Sequence, residues 1–268
     1  MKSFITTLST DNYVEGVIHL AKSLEKVNSK YPLVVYVDKL LKRSTLAKLD
    51  NVGIEYITEK NRIYIPDLVR EKNIKNGNPH WDNTFIKLGI FELVGFEKLV
   101  YLDSDMMVVN NIDSLFEKPH MSAVVAGKSY PGNESWITFN SGLMVIEPKE
   151  GLPKEFESLI EKVAVERNSL GDQDILQEYY NDWVDRTELH LDEGYNIFVL
   201  YIDYYIEKFN YTYTTMDKPI SVVHFLGKRK PWMFKRTDKI KKYLKLILKG
   251  KIIELKVFLD YYNLEKEV

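Results

Sequence analysis

The stretch KLVYLDSDMMVVNNIDSLFE, residues 98–117, runs through the apolar segment LVYL and then meets two aspartates one position apart, Asp103 and Asp105. Lys98–Leu102 has the composition of a buried β-strand that delivers the acids at its C-terminal end. In open α/β sheets, ligands bind outside the carboxyl ends of the strands. Residues i and i+2 of a strand share a face, so the two carboxylates are expected to converge if strand geometry persists. Carboxylates that close repel one another unless a cation neutralises them. Oxygen donors of this kind suit Mg²⁺ or Mn²⁺ shared with substrate phosphates. The plain alternative is a turn, since Asp-Ser-Asp is also good loop chemistry.

Working outward, the predicted strands are Phe4–Leu8, Leu33–Val37, Gly53–Ile57, Lys98–Leu102, Ala123–Ala126, Gly142–Ile146 and Val222–Phe225. Helical spacing of apolar residues predicts helices over Val14–Leu24, Ser44–Leu49, Trp81–Leu93, Lys154–Arg167 and Gln173–Trp183. Residues 59–80 are polar, contain Pro66, Gly77 and Pro79, and read as a loop or lid. Strands alternating with helices argue for one α/β domain with helices on both faces of the sheet. The chain of 268 residues, with 18 Tyr, 12 Phe and 4 Trp, can supply a core for it.

Cysteine is absent, which excludes disulfides and thiolate metal sites. No stretch approaches the roughly 18–20 apolar residues of a membrane span. The N-terminus MKSFITTLST does not read as a signal peptide. The resulting expectation is a cytoplasmic protein. The net charge of −2 conceals an asymmetry, because residues 228–256 hold 12 Lys or Arg and 2 acids. A basic end on an acidic body suggests an anion site or an anionic surface nearby. No nucleic-acid recognition motif accompanies it. Ile240, Leu244, Ile247 and Leu248 share one helical face among lysines. The expectation is that this face packs on the body; the alternative is a basic amphipathic helix making peripheral contact with a membrane.

Three further segments carry chemistry. HFLGKRKPW, residues 224–232, sets His224 after a short apolar strand, followed by Gly227 and the cations Lys228, Arg229 and Lys230. Histidine can complete a metal site with two carboxylates and favours Mn²⁺. The lysines can neutralise a diphosphate. FNSGLMVIEP, residues 139–148, offers Asn140 and Ser141 at a strand start, groups that suit sugar hydroxyls. GDQDILQEYY, residues 171–180, opens a helix at Asp172, either as an N-cap or as a sugar ligand, with Gln173 near the reacting carbon.

In order and content, these motifs resemble glycosyltransferase family 8, the glycogenin-like enzymes, from FITTLSTDNY at residues 4–13 to HFLGKRKPW. The resemblance implies a GT-A-type fold, a Rossmann-like, mixed but mostly parallel sheet. The catalytic domain would span residues 1–232, with a basic amphipathic extension at 233–268 packed on it. It implies a retaining enzyme that moves a hexose, glucose first and galactose next, from a UDP-sugar with Mn²⁺ or Mg²⁺. By motif, Leu8, Thr10 and Tyr13 would line the nucleoside pocket, and Lys87 would touch donor phosphate or sugar. Asp103, Asp105 and His224 would bind the metal, with Asp103 and Ser104 also contacting the donor. Asn140, Ser141, Asp172 and Gln173 would hold the transferred sugar, and Gly227 and Lys230 the diphosphate. Asp172, Gln173 and Lys230 are thus the candidate catalytic residues.

The acceptor would be a hydroxyl of a sugar, of a lipid-linked glycan or of the chain's own Tyr201, Tyr204 or Tyr205. The best register places Asp203 where glycogenin carries its acceptor tyrosine, and glycogenin-like proteins often form homodimers. Asn78 and Ser169 stand where the family has an arginine and an aspartate, and Asp11 where glycogenin has an asparagine. Two other classes compete: a sugar-nucleotide-binding protein with little catalysis, and a phosphatase using Asp103 as nucleophile. Against the phosphatase, Met107 occupies the position where that pattern wants Thr or Val.

Overall fold

The computed structural model describes every residue except 214, 216 and 265–268. The first half of the chain alternates β1 (Lys2–Leu8), α1 (Val14–Lys26), β2 (Leu33–Val37), α2 (Arg43–Asn51) and β3 (Glu55–Thr58). It continues with α3 (Asp67–Lys75), β4 (Lys98–Leu102), β5 (Met106–Val108), β6 (Ala123–Val124) and β7 (Asn140–Ile146). The second half holds α4 (Leu152–Val163), α5 (Asp172–Tyr179), β8 (Ile197–Phe198), α6 (Ile202–Phe209), β9 (Val222–His224), α7 (Arg236–Leu248) and α8 (Ile252–Asn263).

Six strands form the main sheet in the order β3-β2-β1-β4-β7-β6. The first four are parallel, β7 runs antiparallel to β4, and β6 pairs antiparallel with β7 and so runs with the first four. Strands covered on both faces read as continuous apolar runs, as in LVVYV of β2 and LVYL of β4. The amphipathic α1 buries Val14, Val17, Leu20 and Leu24. A second sheet, β5-β9-β8, stands beside the first. Its short strands join β4 to the C-terminal part of the chain.

Several elements differ from expectation. The predicted loop 59–80 contains α3, which begins directly after Pro66 and buries only Val69 and Asn73. So sparse an apolar stripe leaves little periodicity, and the proline marks the helix start rather than a break. Residues 79–92 form 3₁₀ turns rather than an α-helix, and every residue from Phe85 to Phe91 is buried. The two-residue β8 and the three-residue β5 fall outside the expected strands, because strands that short carry no readable alternation, and α6 falls outside the expected helices.

The largest difference lies at the end of the chain. α8 buries Val257, Phe258, Tyr261 and Tyr262 in the same cluster as Ile197, Ile202 and Phe225. The apolar face of α7 does not pack on the body. Ile240, Leu244, Ile247 and Leu248 are 49, 56, 53 and 87% exposed, whereas Leu246 is buried. The inward side of α7 instead places the ammonium groups of Lys239 and Lys242 over the rings of Tyr262 and Phe258. An aromatic floor accepts lysine stems and charges, so the lysine side faces inward and the aliphatic side outward.

Candidate active site at the strand ends

β4 stops at Leu102, and Asp103–Asp105 form a turn closed by the Met106 N–H donating to the Asp103 carbonyl at 3.1 Å. The acids therefore converge through a turn and not through strand alternation. α1 crosses close to this turn at Gly16, where a Cβ would lie 2.6 Å from the Ser104 carbonyl oxygen. The chain re-enters as β5, whose Met106 pairs with His224 of β9. That register brings one ligating atom each of Asp103, Asp105 and His224 within 4.8 Å of one another.

On the sheet side, Asp103 Oδ1 accepts the Tyr101 hydroxyl at 2.7 Å and lies 3.2 Å from Lys87 Nζ. Lys87, 4% exposed, also reaches Asp172 Oδ2 at 2.7 Å, the Ser141 hydroxyl at 3.0 Å and the Ser141 carbonyl at 3.2 Å. Burial pulls this ammonium toward deprotonation, but Asp103 and Asp172 outweigh it and keep the pKa above its ordinary value. Lys87 thus ties together the first helical residue of α5, the start of β7 and the β4 turn.

On the loop side, Lys230 Nζ donates to Asp105 Oδ2 at 2.5 Å and to the Phe225 carbonyl at 2.9 Å. Burial alone would raise the Asp105 carboxyl, yet His224 and Lys230 outweigh it and hold it well below the carboxylate range. Between His224 and Lys230 the chain turns at Gly227, with φ of +103°, a conformation that favours glycine. Lys228 and Arg229 on this loop are exposed. Trp232 Nε1 donates to the Asn12 carbonyl, and its ring packs edge-on against Tyr13 at 5.4 Å. Burial, then Asp105 and Asp103, push the Tyr13 phenol up to about 12.

A chain of amides connects the two sides. Gln173 Oε1 accepts the Ser141 N–H at 3.0 Å and Asn140 Nδ2 at 3.1 Å. Asn140 Oδ1 accepts the Gly142 N–H at 3.0 Å and Asn196 Nδ2 at 2.9 Å. The two backbone donors fix every amide orientation, so Asn196 presents Oδ1 to His224 Nδ1 at 3.1 Å. His224 therefore carries its proton on Nδ1. Its Nε2 faces Asp105 at 3.2 Å and Asp103 at 4.0 Å. A nitrogen lone pair between two carboxylates is satisfied by a second ring proton or by a cation. Two oxygens and one imidazole nitrogen suit Mn²⁺, so the residues present fit a divalent metal.

Asn196 is fully buried. As a lone amide inside a tyrosine-rich stretch, it gave no sequence signal. The Leu8 side chain is fully buried with Val17 and Val35, and its carbonyl accepts the Asp38 N–H. Thr10 donates to Asn12 Oδ1. Asn78 and Ser169 are half-buried. Burial, then Lys228 and Lys230, lower the pKa of His80. Asp203, at the acceptor register, accepts the N–H groups of Ile253 and Glu254 that open α8. Tyr205 is buried and donates to Glu193.

Comparison with known proteins bears on this arrangement. Residues 4–236 match the family model described as glycosyl transferase family 8. Glycogenin-1 of Oryctolagus cuniculus is 30% identical over 246 residues, which is 90% of this chain and 68% of that one. UDP-glucuronate:xylan alpha-glucuronosyltransferase 2 of Arabidopsis thaliana is 33% identical over 148 residues, 55% of this chain and 22% of that one. The crystal structure of glycosyltransferase GlyE of Streptococcus pneumoniae TIGR4 superposes with a TM-score of 0.57 at 21% identity, covering 90% of this chain and 60% of that one. The chain thus spans about two thirds of the length of the glycogenin-1 relatives it matches. The GlyE likeness, together with the mostly parallel sheet, establishes a GT-A glycosyltransferase fold.

Proposed function

The chain belongs to glycosyl transferase family 8, and on that premise we propose that it moves a hexose, glucose first and galactose next, from a UDP-sugar to a hydroxyl acceptor with retention of anomeric configuration. The observation that carries this reading is the meeting of two polar sets on one network. Asp103, Asp105 and His224 lie within 4.8 Å of one another, and the Asn196–Asn140–Gln173 amides join them to the residues of β7 and α5.

Asp103, Asp105 and His224 would hold Mn²⁺ or Mg²⁺, which supplies charge neutralisation for a leaving diphosphate. The remaining chemistry belongs to the chain. The bond between the anomeric carbon and the diphosphate oxygen breaks, and that oxygen takes the electron pair. Lys230, with Lys228 and Arg229 beside it, is the mobile cation that would leave Asp105 to meet this developing charge. Asp172 Oδ2 already accepts Lys87 and Ser141. That supports a role in holding the sugar, with the acceptor attacking from the face the diphosphate leaves and its proton passing to a phosphate oxygen. Gln173 turns its carbonyl inward to Asn140 and Ser141, and its NH₂ is the group we assign to the sugar.

A separate acceptor fits better than Tyr205 or the Asp203 position, because Asp203 caps α8 and Tyr205 is bound to Glu193. A phosphatase fits poorly, since Met107 stands where that pattern wants Thr or Val.

The test is UDP release from UDP-glucose, UDP-galactose and UDP-glucuronate, each with Mn²⁺ and with chelator. Metal-dependent release from one donor is expected. UDP binding without release from any donor would support a binding protein, and phosphate release from simple esters would point to the phosphatase.

A further inference from the structure

The outer face of α7 combines two properties rarely left in water together. Ile240, Leu244, Ile247 and Leu248 recur at i, i+4, i+7 and i+8, one stripe of a helix, and each is roughly half exposed or more. Arg236, Lys241, Lys245 and Lys249 are exposed on the same helix or at its end. Across residues 236–251 there are seven Lys or Arg against one acid, Asp238. The inward side is already committed, with Lys242 bound to Glu254 at 2.7 Å and Leu246 buried.

We infer that this outer face docks on an anionic lipid bilayer. An aliphatic stripe flanked by cations matches the boundary between acyl chains and phosphate headgroups, where a helix lying in the plane satisfies both. A second copy of the chain fits less well. A two-fold contact sets the same patch against itself and would bring the exposed lysines and arginine together. An acidic partner would answer the charges and leave the four aliphatic side chains uncovered. Docking would also have a consequence for the site. Arg229 is paired with Asp238 in the first turn of α7, so the loop carrying Lys230 would stand near the lipid surface. Among the described residues no helix is long and apolar enough to cross a membrane, so the contact is peripheral.

The test is co-sedimentation of the full chain with vesicles of phosphatidylglycerol and phosphatidylcholine at equal parts, against phosphatidylcholine alone. Partitioning should be at least about ten-fold stronger on the anionic vesicles and should weaken with added salt. The combined variant Ile240→Ser, Leu244→Ser, Leu248→Ser should lose about ten-fold or more, and Lys241→Glu, Lys245→Glu a similar factor, both at unchanged Tm. Equal binding to the two vesicle types, or full binding by the serine variant, would overturn the inference. So would gel filtration showing a dimer that the serine variant abolishes while vesicles bind nothing, an outcome that assigns the face to self-association.

Discussion

Lys87 and Lys230 are both buried ammonium groups, each placed on one carboxylate of the same turn, and they are held in opposite ways. Lys87 sits beneath the turn with four acceptor atoms from Asp103, Asp172 and Ser141, all anchored on β4, β7 and α5. Lys230 has two acceptors, Asp105 and the Phe225 carbonyl, and rides on a loop with a left-handed glycine and two exposed cations. The first is part of the frame. The second is held by fewer groups and sits on a loop. On this difference we propose Lys230, not Lys87, as the cation that meets the leaving diphosphate.

That contrast can be broken most sharply by removing each cation. Lys87→Met leaves Asp172 buried without its ion pair and should destabilise the fold by about 3 kcal/mol. In thermal unfolding this corresponds to a drop of roughly 6–12 °C for a chain of this size. Lys230→Met should cost about 1–2 kcal/mol, because Asp105 keeps His224, but should lower kcat about 100-fold or more. If Lys230→Met lost the greater stability, or Lys87→Met were silent in unfolding, the division between frame and loop would be wrong.

A smaller effect sharpens the frame side. In Gly142→Ala the new Cβ would stand 2.7 Å from the Met106 methyl, 2.8 Å from Asn140 Oδ1 and 3.0 Å from Asp103 Oδ2. Stability should fall by about 1–3 kcal/mol, and metal binding should weaken with it. Asn196→Ala removes the acceptor that fixes the His224 proton on Nδ1, and Mn²⁺ affinity should drop about ten-fold or more. Asn196→Asp keeps that acceptor but loses the donor to Asn140, so it should recover only part of the loss, which calorimetric titration with Mn²⁺ and UDP would show.

A further effect, on stability alone, lies away from the site. Burial lowers the His120 pKa to about 4. Its Nδ1 accepts the Glu147 N–H, and its Nε2 meets the Tyr180 hydroxyl. The neutral ring is preferred in the fold, so its stability is complete above about pH 6.5 and is lost as pH falls toward 4. The full difference is roughly 3 kcal/mol by linkage. Urea unfolding of His120→Leu should show a correspondingly shallower decline across that window.

The parallel strands were legible because covered strands read as apolar runs, and the Asp103–Asp105 pair because such a run ended on it. His224 was legible through the segment that follows it. The means of convergence was not: a strand and a turn both bring i and i+2 together, and only the backbone distinguishes them. Lys87 carried a motif signal as a candidate donor contact, yet its enclosure by Asp103, Asp172 and Ser141 depends on three elements distant in sequence. Asn196 was invisible for the same reason. The periodicity of α7 established that one face is aliphatic but not which face turns inward. That choice was made by the rings of Phe258 and Tyr262, which take lysine ammonium groups from the opposite side.

The central claim is that two carboxylates, one anchored to the sheet and one to the loop, converge on a single divalent cation held together with UDP. Electron paramagnetic resonance of free Mn²⁺, titrated into the protein in the presence of UDP, tests it directly. The wild type should take up one equivalent, and Asp105→Asn should bind at least about 100-fold more weakly while still folding. Unchanged Mn²⁺ uptake in Asp105→Asn, or no uptake in the wild type, would contradict the assignment.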